Sequence, residues 1–281
     1  MNLELPMCLL DWIDKDKIDW CYLSQNVNAI ELLKENPDKI NWYNLSSNPN
    51  AIQFLKENND KIDWTNLSLN STAEAIQMLK ENPDKINWVY LSYNPNAIEL
   101  LRENPDKINW YNLSKNPNAI DLLKENPDKI YWYYLSSNSS LDAIALLKEN
   151  PDKIKWDYLS RNPNAEAVAL LKENPDKIFW NNLSLNQNAE AITLLKEHPD
   201  EIDWFMLSSN PTAIEVLKEN LNKIFWSYLS KNPSIFTYDY EKMRYNCLLF
   251  KEDLMKERFH PRNLRKFSSW GHNGGIDEDD E

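Results

Sequence analysis

The sequence predicts an all-α fold, an α-solenoid of about ten short helix-turn-helix repeats with capping segments. Three observations predict it. Ten tryptophans, from Trp20, Trp42 and Trp64 onward to Trp226, are spaced by 22 or 24 residues. Asn-Pro pairs punctuate the same beat, with twelve of the fifteen prolines following an asparagine. Between them, apolar residues fall at helical spacing, and a fixed period of this length is the signature of stacked structural units.

The unit reads A-[IV]-x-[LFMV]-L-K-E-N-P-D-K-I-x-W-x-x-L-S-x-N-P-x. In its first half Ala51, Ile52, Phe54 and Leu55 gather on one face, which predicts a short helix. Asn48-Pro49 starts it, since Asn caps free amides and Pro suits a first turn. The next Asn-Pro ends it. In the second half Trp42 and Leu45 are three apart and Asn41 or Asp63 is placed to cap a second, shorter piece, α or 3₁₀. A strand through Ile40 and Trp42 is the competing reading, and Pro37 and Pro49 pinch it. Units with the longer spacing carry two extra residues before the first helix, as in 71–76, 139–144 and 163–168. All three glycines lie between 271 and 275, so the corners are turned with Asn and Pro.

Helices this short are marginal alone, so stacking has to stabilise them. Burying one indole removes roughly 150–250 Å² from water, about 4–6 kcal/mol gross at ~25 cal/mol per Å². The tryptophans are therefore the expected rivets of an elongated, open stack. Such a stack has ends. Residues 1–18 read as an N-terminal cap in which Asp11, Asp14 and Asp16 roughen an exposed apolar end, and 19–233 as the repeats. Residues 234–271 read as a helical C-terminal cap, with a long amphipathic helix from Tyr240 to Phe259 and a short one after His260-Pro261; 272–281 reads as an acidic, disordered tail.

The combination D-K-I-x-W-x-x-L-S-x-N-P-N-A-I, with the closing segment from Asn232 to Phe267, resembles the short Trp-containing repeat proteins of large nucleocytoplasmic DNA viruses of the mimivirus kind. The resemblance runs from Leu10 to about Phe267. It implies a viral origin and a setting in the virion or the host-cell cytoplasm. It brings no catalytic residues.

A net charge of -13 argues against capture of nucleic acid or an anionic membrane surface. A base reader built on variable aromatics remains a distant alternative. The N-terminus has no basic stretch and only a brief apolar run, so neither a signal peptide nor a membrane anchor is expected. Cys8, Cys21 and Cys247 are far apart without metal-ligand spacing and read as reduced thiols. No phosphate loop, dinucleotide fingerprint, HExxH or GxSxG is present, and His198 stands where other units have the Asn before Pro. No enzyme activity, cofactor or metal is expected. The recurrent Glu, Asp and Lys read as a solvated outer face with weak ion pairs.

The expected function is a non-enzymatic scaffold for protein–protein interaction, in a viral particle or as an adaptor capturing a host protein. Residues fixed by packing cannot choose a partner, so the candidates are those that vary beside the tryptophans: Tyr131, Tyr133, Phe179, Phe205 and Phe225. A second candidate surface, for an acidic partner, is Arg258, Arg262, Arg265 and Lys266.

Overall fold

A computed structural model describes residues 5–259. By its contacts the chain divides into a unit spanning Leu9–Thr237, which holds every repeat, and a second made of the segments before and after it.

The fold is the all-α repeat array that the period predicts, and each repeat consists of short helical pieces. Pro37–Lys39 is a 3₁₀ turn, Trp42–Ser46 a single α turn, and Pro49–Ala51 another 3₁₀ turn that runs into the helix Ile52–Glu57. The second half of the unit is thus both 3₁₀ and α. The join is an extended Ile40 (φ -69, ψ 125) followed by the cap residue Asn41. Asn41 Oδ1 accepts from the amide of Asn44 at 2.9 Å, and Asp63 Oδ1 from that of Asn66 at 2.8 Å. Each such cap contributes about 1 kcal/mol. At the far end of the first helix Asn36 Nδ2 donates to the carbonyl of Leu32 at 2.9 Å, satisfying one of the acceptors a helix end leaves open. The two extra residues of a longer unit extend the helix, as in Ala73–Glu81 behind its cap Thr72.

Adjacent units are joined by a polar ladder built from the invariant Ser-x-Asn. Ser24 Oγ donates to the carbonyl of Trp20 at 2.8 Å and accepts the amide of Asn41, in the next unit, at 3.0 Å. Asn48 Nδ2 donates back to the carbonyls of Ser24 and Asn26, at 3.2 and 2.9 Å. These serines and asparagines are as buried as the core leucines, and no buried side-chain nitrogen or oxygen among the described residues lacks a partner. A buried amide is tolerable only when satisfied in this way.

The ladder does not stop. Asn26, in the first unit, donates to the carbonyls of Ser230 and Asn232, in the last, at 3.0 and 2.8 Å. The amide of Asp19 donates to Ser230 Oγ at 2.9 Å, and the rings of Tyr22 and Tyr228 lie 5.5 Å apart. The Leu9–Thr237 unit is therefore a closed ring of ten units, and the expectation of an open, elongated stack is corrected. A head-to-tail interface makes a ring whenever the rotation per step closes.

Closure also corrects the reading of the N-terminal end. Asp14 caps the 3₁₀ turn Lys15–Lys17, the counterpart of Pro37–Lys39, so this segment completes unit one instead of roughening a free end. The described residues contain ten Trp-bearing helices but nine of the longer, first-half helices. In the tenth place two segments meet: β1 (Met7–Leu9) pairs with β2 (Phe236–Tyr238), and the amide of Leu10 donates to the carbonyl of Ile235 at 2.9 Å. Tyr240–Phe259 is one helix, as the spacing predicts. The short helix after His260 and the acidic tail lie outside the described residues.

The rivets are not the indoles. Leu23, Leu45, Leu67 and their counterparts are fully buried, as are Ala51, Leu55 and theirs, whereas the ten repeat tryptophans are half-buried. A fully buried Leu contributes roughly 1.5–3 kcal/mol. Most of the indoles are covered on their open face by a side chain from the next unit. Lys39 Nζ sits 4.4 Å from the Trp20 ring, Lys61 4.7 Å from Trp42, and Lys17 5.0 Å from Trp226 across the closing junction. The outer lysines are thus not only a solvated ladder, because six of them cover an indole of the preceding unit. Where Glu201 replaces that lysine, the ring of His198 lies 4.6 Å from Trp180 instead. Exposed ion pairs such as Arg102–Glu125 and Lys172–Glu190 link successive outer helices, each contributing under about 1 kcal/mol.

Candidate protein interface

The positions flanking each Trp form two adjoining rows on one edge of the ring. The residue after Trp in one unit meets the residue before Trp in the next. Tyr111 and Tyr131 stand with ring centroids 5.8 Å apart, Phe205 and Phe225 5.3 Å apart, and Lys155 Nζ lies 4.7 Å from the Tyr133 ring. A third row, two residues after Trp, packs against the second. Phe205 meets Tyr228 at 3.8 Å and Tyr133 meets Tyr158 at 5.7 Å, while the hydroxyls of Tyr134 and Tyr111 are hydrogen-bonded. The aromatic side chains form two clusters, one around Tyr111, Tyr131, Tyr134 and Tyr158 and one around Phe205, Phe225 and Tyr228, with Phe179 exposed between them in sequence.

Four of the five predicted residues are well exposed: Tyr131 50%, Tyr133 51%, Phe179 52% and Phe225 48%. Phe205 differs, being half-buried between Phe225 and Tyr228 where it supports its neighbours. The edge extends beyond the predicted set to Tyr43 and Tyr111, which are similarly exposed. Tyr158 and Tyr228 belong to it as well. Their signal was the tyrosine recurring two residues after Trp, in a position that Asn fills elsewhere.

The local folding rule is broken where the edge is most aromatic. The residue before Trp is the N-cap of the Trp helix, and in six units its side chain accepts a backbone amide: Asp19, Asn41, Asp63, Asn87, Asn109 and Asp203. Tyr131, Lys155, Phe179 and Phe225 occupy that position with no side-chain cap bond. Each gives up about 1 kcal/mol of capping. The helix forms regardless because the ladder and the buried Leu hold it.

Of the second predicted surface, Arg258 falls within the helix Tyr240–Phe259, while Arg262, Arg265 and Lys266 lie outside the described residues. Among the described residues no group of three His, Cys, Asp or Glu is placed to hold a metal, and no helix is long and apolar enough to cross a membrane.

Compared with known proteins, the chain is matched by no family model, no curated protein and no solved structure.

Proposed function

We propose that this chain is a non-enzymatic scaffold that binds a protein partner on the aromatic edge of its ring. The observation that carries this reading is the replacement of a stabilising cap by an exposed aromatic at Tyr131, Phe179 and Phe225. A local rule broken at the expense of stability, where the replacing ring stays about half exposed, marks a functional position. Tyr and Phe on a rigid support are also the residue types that anchor protein interfaces, where they bury much area for few rotatable bonds. The net charge of -13 favours a basic or neutral partner over a nucleic acid. With the viral origin that the repeat resemblance implies, the setting is a virus particle or the cytoplasm of its host.

The test is the variant Tyr131→Asn, Phe179→Asp, Phe225→Asn, which restores three caps. It should remain folded, melt higher than the parent, and lose the protein that cross-links to Tyr133 or Tyr158 in infected cells. Undiminished cross-linking to the same protein overturns the reading. The protein content of purified particles then separates a structural component, abundant there, from an adaptor that stays behind in the host.

A further inference from the structure

The position between the ladder Ser and Asn belongs to neither the core nor the aromatic edge. Six successive units, from Leu69 to Leu185, deliver this residue to one cavity of about 530 Å³, together with the residue two places further on. In a closed ring, equivalent positions gathered from six successive units lie on its inner wall. Across all ten units that position carries Lys115, Arg161 and Lys231 but no Asp or Glu, in a chain with 44 acidic and 31 basic residues. The acidic protein has a basic interior.

These cations are held in place without being neutralised. Lys115 Nζ lies 4.8 Å from the Tyr93 ring, the Arg161 guanidinium 4.6 Å from Tyr158, and Lys231 Nζ 4.4 Å from Tyr228. None of the three forms an ion pair with a carboxylate among the described residues. Stacking on an aromatic face orients a cation while leaving its N–H groups able to donate. Burial, and then the like charge of Arg161, holds the Lys115 ammonium below the ordinary lysine range. Ser71 and Ser139 add polar lining, Leu69 and Leu185 apolar lining, and the volume lies in the range of small-molecule sites.

We infer that this cavity binds a small phosphorylated molecule, whose phosphate oxygens accept from Lys115 and Arg161. Guanidinium matches the geometry of phosphate with two parallel donors, and a multiply charged phosphate answers two unpaired cations better than a single carboxylate does. The inference does not rest on the proposed partner, although Tyr158, which holds Arg161, also borders the aromatic edge. It concerns the lumen of the same ring.

Titration calorimetry of the full chain with inorganic tripolyphosphate at low ionic strength tests it. The expected result is one molecule bound per chain, with affinity falling at least tenfold in the double variant Lys115→Met, Arg161→Met. Lys107→Met, on the outer wall where the lysine pairs with Asp106, should bind as the parent does. Absence of binding to the parent, equal binding to the double variant, or citrate binding as tightly as tripolyphosphate overturns the proposal. Should the double variant fail to fold, the parent still decides: tripolyphosphate should protect Lys115 from acetylation several-fold, and unprotected Lys115 overturns it.

Discussion

The junction that closes the ring and a junction in its interior are nearly indistinguishable from inside and unlike from outside. In the interior, Asn138 donates to the carbonyls of Ser114 and Asn116 at 3.1 and 2.9 Å, and Ser114 Oγ accepts the amide of Tyr131 at 3.0 Å. At the closure, Asn26 reaches Ser230 and Asn232 at 3.0 and 2.8 Å, and Ser230 Oγ accepts from Asp19 at 2.9 Å. On the outer side an interior junction is spanned by a continuous helix, whereas the closure has two chain segments meeting as short strands. The comparison teaches that the inner code is complete within each unit. Closure needs no dedicated residues there, and joining distant ends is only weakly penalised by length, about 0.6 kcal/mol per doubling of a flexible loop.

The largest expected effect tests that equivalence. Asn138→Ala removes three hydrogen bonds, two donated to the carbonyls of Ser114 and Asn116 and one accepted from the amide of Ser140, and leaves the buried Ser114 carbonyl without that partner, an expected loss of about 3–5 kcal/mol. Asn26→Ala should lose as much by urea denaturation if the closure is as strong as the interior, and a far smaller loss would mean that the ring opens there before it unfolds. The capped and uncapped units differ more modestly. Phe179→Asp should stabilise by about 1 kcal/mol and Asp203→Phe destabilise by about as much, read from thermal melts. A shift of the same sign in both would show that the cap position is governed by ring packing instead.

Smaller still is the cover over the indoles. Lys17→Met, at the closure, and Lys39→Met, in the interior, should each lose about 0.5 kcal/mol, and unequal losses would show that the closing face is looser. The last effect separates inner from outer lysines by pH. The folded chain holds Lys115 below its unfolded value, so between the two values the unfolded state binds more protons and stability rises with pH. Lys115→Met should therefore be more stable than the parent at neutral pH, with the advantage shrinking as pH climbs towards the ordinary lysine range. An advantage that is constant with pH would assign it to packing alone.

Much of this was legible in the residues themselves. Trp42 with Leu45, Asn48 with Pro49, and the caps Asn41 and Asp63 describe local events, and local events are what a periodic sequence records. The depth of the indoles does not follow from their size. Leu45 and Ser46 can pack against their equivalents in the neighbouring units, while a broad Trp beside a Lys is better used as a half-open shelf. Closure was not legible, because the repeat fixes which surfaces meet and not the angle at which they meet. A trace of it was present nonetheless. Ser24 with Asn26 and Ser230 with Asn232 keep the full ladder motif in the outermost units, where an open stack would have left those buried-type amides facing water. The aromatic edge follows from variation between units, whereas Tyr158 and Tyr228 share a position that Asn fills elsewhere, and Asn reads as a turn residue.

Ring closure also constrains how such a gene can change. An open array tolerates gain or loss of a unit at small penalty, since only its length is altered. Here the ten junctions together complete one turn, so an eleventh unit or a missing tenth would have to be absorbed by the others. Duplication and deletion, the ordinary way for tandem repeats to drift, are thereby disfavoured, leaving substitution at the variable positions as the open route to a changed surface.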